Sequence, residues 1–135
     1  DPMNHEKMVH LRAEKIARIA DSIPDLIPFG ESQGDILVVG WGSTYGAITT
    51  AVQQMQKKGL KVSSIHLRHL NPFPKNLEKF LSNFKKVLIP EMNMGQLASL
   101  IQSKFLINAH SFTKIQGRPF QVQEIMTKIE EIDQQ

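Results

Sequence analysis

Cysteine is absent from this 135-residue chain. That excludes disulfides and thiolate metal sites, and it leaves a cytoplasmic location as a default rather than a deduction. Long apolar runs are missing too: no stretch approaches the length of a membrane span, and the first residues do not read as a signal peptide. Charge of one sign does not dominate. The formal net charge is +3, with acids interspersed among the bases, a pattern of solubility rather than a nucleic-acid footprint. Repeats and low-complexity tracts are also absent. What remains is ordinary for a globular protein, 41% hydrophobic and 21% charged, and long enough for one well-buried core. The chain begins at Asp1 rather than Met, so a piece of a longer protein is one expectation.

Hydrophobic periodicity orders the chain. Met8, Leu11, Ile16, Ile19, Ala20 and Ile23 fall on one face of a helix expected over about 4–19, with Glu6, Arg12, Glu14 and Arg18 on the other. Pro24 and Pro28 bracket Leu26-Ile27, a short candidate edge strand, since proline is tolerated at sheet edges. Ile36–Gly40 reads as a central strand, apolar on both faces. A helix over about 44–58 follows, with Ile48, Ala51, Val52 and Met55 inward and Gly59 as its stop. Val62–Leu67 is the next strand, and Asn71-Pro72-Phe73-Pro74 a rigid loop. A short helix over about 75–84 leads to the strand Val87–Pro90. The pattern then predicts a helix over 96–105 with Leu97, Leu100 and Ile101 inward, and a strand over 111–115. A turn at Gly117-Arg118-Pro119 precedes a closing helix carrying Val122, Ile125, Met126, Ile129 and Ile132 on one face. Strands alternating with crossover helices mean an α/β domain with a mostly parallel, doubly wound sheet. Its ligand crevice would lie where the strand order reverses, between the strands at Ile36 and Val87.

Two strand-to-helix turns flank that point. Gly40-Trp41-Gly42-Ser43-Thr44-Tyr45-Gly46 falls short of a dinucleotide fingerprint, because its third glycine comes one residue late and Tyr45 stands in its place. No acid follows the second strand for a ribose, and no Lys follows the glycines for a P-loop. The turn reads first as structural, with Ser43 or Thr44 capping the helix, although its N–H groups permit an anion. In the second turn, Glu91 and Asn93 follow a strand where catalytic residues often sit. With no nucleophile or second carboxylate beside them, helix capping or an interface is the better reading. His66 and His69 lack further metal ligands; His5, His10 and His110 read as surface or packing residues. Trp41 and Tyr45 stand where large aromatics more often dock a neighbouring domain than hold a cofactor.

In its wording the chain resembles the C-terminal domain of the alpha subunit of 2-oxoacid:ferredoxin oxidoreductases, the 2-oxoglutarate type especially. The segments are His10-Leu11-Arg12-Ala13-Glu14-Lys15-Ile16, Val39–Gly46, His69–Pro74, Pro90-Glu91-Met92-Asn93-Met94-Gly95-Gln96-Leu97, and Lys114–Phe120, in order through nearly the whole chain. The resemblance implies a fold similar to the transketolase C-terminal domain: three α/β/α layers around a five-stranded, mostly parallel sheet. Its antiparallel edge strand would be Leu26-Ile27. Residues 1–23 would be a leading helix and linker, and 24–135 the domain proper.

The family decarboxylates a 2-oxoacid on thiamine diphosphate, passes electrons through iron–sulfur clusters to ferredoxin, and forms an acyl-coenzyme A. By the same resemblance, thiamine diphosphate, Mg and the clusters belong to other domains, and no catalytic residue carries over to this chain. The expected partners are a pyrimidine-binding domain of the same subunit and the beta subunit, with ferredoxin and coenzyme A reached through the full complex. A homodimer of the isolated piece would be unsurprising. Gly42, Ser43, Thr44, Glu91, Asn93, Gly95 and Gln96 are the candidates to face a partner or an anion. Two other readings stand beside this one: a stand-alone module binding an anion or nucleotide in the crevice, and a small enzyme using Glu91 with a histidine.

Overall fold

The computed structural model of the chain describes residues 2–92, 95–114 and 118–135, the side chains of Pro2 and Ala17 apart. The elements are α1 (Pro2–Ser22), β1 (Gly34–Trp41), α2 (Tyr45–Lys57), β2 (Val62–Leu67), α3 (Leu77–Ser82), β3 (Phe84–Glu91), α4 (Gln96–Phe105), β4 (His110–Thr113) and α5 (Val122–Asp133). A single 3-10 turn, Gly42–Thr44, joins β1 to α2. The sheet runs β2-β1-β3-β4 and every pair is parallel. Strand order therefore reverses between β1 and β3, the pair expected to flank the switch point.

Side-chain parity along the strands explains the layers. In β1, Leu37 and Val39 face one core with Ile65 and Leu67 of β2, Val87 and Ile89 of β3, and the apolar faces of α3 and α4. Ile36 and Val38 face the other, with Val62, Leu88, Ile48, Val52 and Met55 of α2, and Ile125, Ile129 and Ile132 of α5. Three layers result, and β1 is buried from both sides. Each fully buried Ile or Leu contributes on the order of 2 kcal/mol of apolar transfer. Gly59 (φ +91°) follows α2 in the left-handed conformation that ends helices, as its position implied.

Several expectations need correction. Among the described residues there are four strands, not five, and none is antiparallel. The segment at Leu26-Ile27 makes one antiparallel bridge: Phe29 donates its N–H to Ser64 O (2.7 Å) and Ser64 donates to Phe29 O (3.1 Å). Pro24 and Pro28 have no N–H to extend that bridge into a ladder. Leu100 is 44% exposed while its neighbour Ala98 is buried, so the inward stripe of α4 is Leu97, Ala98 and Ile101. The leading helix forms, but Met8, Leu11, Ile16 and Ile19 are all exposed and belong to neither core. The fourth strand begins at His110 and is assigned to Thr113; Ile115 and Gly117 lie outside the described residues.

Candidate functional site

Both turns stand at the C-terminal edge of the sheet, but they are built differently. In the first, Gly40 lets α2 approach β1. A Cβ there would lie 2.5 Å from Ile48 Cδ1, 3.1 Å from Thr44 Oγ1 and 3.3 Å from His66 Nδ1. Gly42 takes a left-handed φ of +68° in open space. Thr44 is buried, and its hydroxyl donates back to Trp41 O (2.9 Å). Neither Ser43 nor Thr44 makes a side-chain cap to α2; Thr44 at the N-cap has helical dihedrals (φ −81°, ψ −6°) rather than the extended ones from which a hydroxyl accepts the first helical N–H groups. Gly42 and Ser43 are exposed.

The second turn is closed from within. Glu91 is two residues beyond Ile89, so parity turns its side chain toward the α4 layer. Its carboxylate is fully buried and accepts the N–H groups of Leu97 (2.7 Å, Oε1) and Ala98 (3.1 Å, Oε2). The N-cap position of α4 is Gly95 (φ +80°), which has no side chain to cap with. A carboxylate from the strand supplies the acceptor that an N-cap Asp would normally provide. The start of α4 thus holds its own anion, and Glu91 has no proton-transfer partner in contact among the described residues. Gly95 is buried and Gln96 exposed; Asn93 lies outside the described residues.

The cavities lie elsewhere. One of about 550 Å³ opens between the Pro24–Phe29 segment, the start of α2 and the end of β2. A shallower one of about 480 Å³ adjoins it across Trp41 and Gly42, and both are lined by Tyr45, His66 and Arg68. Neither is lined by Glu91 or Gly95. Tyr45 and His66 meet edge to face, their ring centroids 5.1 Å apart. Burial, and after it the Arg68 charge, holds the His66 imidazole below its ordinary value; a hydrogen bond to the Gly42 backbone works the other way. A larger groove of about 1000 Å³ opens at the opposite, N-terminal edge. There some of the polar side chains are engaged with the protein itself, as in Gln56 to Val62 O (3.0 Å) and the Lys85–Asp35 pair (3.2 Å). Sequence reasoning passed over Arg68. The run His66-Leu67-Arg68-His69, three basic side chains at the end of a strand, was the signal that could have found it.

The chain has no cysteine, and among the described residues no group of three His, Cys, Asp or Glu side chains could hold an ion. No helix among them is long and apolar enough to cross a membrane.

A doubly wound parallel sheet between two helical layers, with one turn sealed and one open at its switch point, defines the class: an α/β domain of Rossmann-like build. Residues 34–125 match the pyruvate:ferredoxin oxidoreductase core domain II, and the chain belongs to that family. It is 44% identical over 128 residues to the 2-oxoglutarate oxidoreductase subunit KorA of Mycobacterium tuberculosis, an alignment covering 93% of this chain and 19% of that subunit. The solved 2-oxoglutarate:ferredoxin oxidoreductase of Magnetococcus marinus, with 2-oxoglutarate, coenzyme A and succinyl-CoA bound, is 32% identical. It superposes with a TM-score of 0.89, covering 98% of this chain and 24% of its own. A split-gene transketolase (an inactive beta4 tetramer), 11% identical, superposes with a TM-score of 0.60 over 78% of this chain and 41% of its own, and shares the fold alone. The chain spans about a fifth to a quarter of the length of its two oxidoreductase relatives.

Proposed function

We propose that this chain is the transketolase C-terminal-like domain of the alpha subunit of a cytoplasmic, thiamine-diphosphate-dependent 2-oxoacid:ferredoxin oxidoreductase, of the 2-oxoglutarate type. The parent enzyme would oxidatively decarboxylate the 2-oxoacid to an acyl-coenzyme A and reduce ferredoxin. The chain's own work is assembly. Residues 24–135 form the domain, and residues 1–23 connect it to the pyrimidine-binding domain of the same subunit. Gly42, Ser43 and Gln96, the exposed members of the candidate set among the described residues, face that domain or the beta subunit.

One observation carries this reading. The helix α1 presents Met8, Leu11, Ile16 and Ile19 to solvent, yet it lies within the 98% of the chain that superposes on one quarter of the Magnetococcus protein. An apolar stripe outside both cores is a surface that the rest of a larger protein would cover.

The test uses the full alpha subunit with its beta partner. Leu11→Glu with Ile16→Glu is expected to abolish assembly and ferredoxin reduction, while the same changes leave the melting temperature of the 135-residue chain within a degree or two. A doubly substituted complex that assembles and turns over like the parent would sink the proposal.

A further inference from the structure

We propose that the cavity beneath the Pro24–Phe29 segment binds a small organic anion, a carboxylate or phosphate carried on an apolar body, with Arg68 as its anchor. The inference does not rest on the assembly role: the cavity wall follows α1 directly in sequence, but the side chains that line the cavity lie outside α1's apolar stripe.

The cavity is preformed. Its outer wall is pinned at Leu26, where the Asn76 amide both accepts the backbone N–H (2.9 Å) and donates to the carbonyl (3.0 Å). The wall is pinned again at Phe29 by the two hydrogen bonds to Ser64. A further bond, Ser63 Oγ to Glu31 O (2.7 Å), fixes the chain just beyond. The enclosed volume, about 550 Å³, lies within the range of small-molecule pockets. Leu26, Phe29, Ile48 and Pro74 give it apolar sides.

Arg68 supplies a positive charge to the cavity's lining, and His66 and His69 join it there because β2 ends at Leu67 and the chain turns away. No carboxylate among the described residues lies within ion-pairing distance of Arg68. Asp25 lines the same cavity and is not joined to it. The guanidinium is thus a fork of donors with no anion, in the lining of a largely apolar cavity that Tyr45 and Thr49 also line. A body between the apolar walls with an anionic head on Arg68 would satisfy both features, which neither a neutral apolar molecule nor a free inorganic ion would do. Arg68 also raises the local positive potential that helps keep His66 neutral; a bound anion would offset that field, so the imidazole would titrate higher in the complex.

The experiment is an NMR titration of the 135-residue chain, whose two cores close within itself, with 3-phenylpropionate and phenyl phosphate as probes and 3-phenylpropanamide as the neutral control. Saturable shifts at His66, Tyr45 and Ile48 are expected with at least one anion, together with an upward move of the His66 titration. Arg68→Ala and Arg68→Gln, at an exposed position, should keep the spectrum of the folded chain and weaken binding roughly ten-fold or more. Whichever anion binds more tightly identifies the head group. Equal binding by the amide, equal binding by the Arg68 variants, or no saturable shift with either anion would each overturn the proposal.

Discussion

The turn after β1 and the turn after β3 occupy equivalent places in the topology and are finished in opposite ways. After β3, a buried carboxylate reaches across the turn and takes two N–H groups of α4. After β1, no side chain caps α2; the turn is held by one hydroxyl-to-carbonyl bond and by a glycine that brings the helix close. The first arrangement uses the helix N-terminus for stability, with the N–H groups of Leu97 and Ala98 already taken. The second leaves Gly42 and Ser43 exposed and puts an aromatic–histidine pair beside an open cavity. Parity decides which is which. Glu91 stands on the α4 face of its strand and is swallowed by the core, whereas His66 stands on the α2 face of the sheet's outer strand, where cover ends.

Substitutions can break this contrast. The largest effect belongs to Glu91→Gln, which turns an amide N–H₂ toward donors that need an acceptor inside the protein. A loss of about 3 kcal/mol in urea unfolding is expected, with α4 amides losing exchange protection first. A loss below about 0.5 kcal/mol would show that the buried carboxylate is not what holds the turn. In the other turn, Gly40→Ala should cost about 1–3 kcal/mol, because the buried Ile48 must move to admit a Cβ. A neutral result would mean that α2 can simply back away from the sheet.

The smallest effect is one of pH. With burial first and Arg68 second holding His66 low, the unfolded chain binds that proton more readily than the folded one. The histidine's contribution is therefore complete above about 6.5, its unfolded value, and is lost as the pH falls through it toward the lowered folded value. Urea midpoints compared above and below that window should drop less in His66→Gln than in the parent chain. An equal drop in both would assign the pH dependence to other groups.

How much of this was legible in the sequence varies by element. The central strand at Ile36–Gly40 and the helices at 44–58 and 96–105 were legible because a short continuous apolar run and an apolar spacing of 3.6 residues are local properties. The edge strand was misjudged. Two prolines signalled a sheet edge correctly, but one remaining bridge is too little to make a strand. The candidate site was legible in part. Turns at a switch point can be read from topology, but not which of the two is filled. Arg68 shares a cavity with Leu26 only in the folded chain, where Asn76, fifty residues from Leu26 along the chain, holds that segment in place.

Helices α1 and α5 mark the boundary most clearly. Both carry an apolar stripe at helical spacing, and the sequence by itself determined that each would be an amphipathic helix. It likewise determined the order of strands and crossovers, and hence a doubly wound sheet. Only the tertiary structure decided that Ile125, Ile129 and Ile132 are fully buried against α2 and the sheet while Leu11 and Ile16 are left in the open. The reason is physical. Periodicity fixes which residues share a face, a matter of a few neighbouring dihedrals, but what covers that face depends on surfaces brought together from distant parts of the chain.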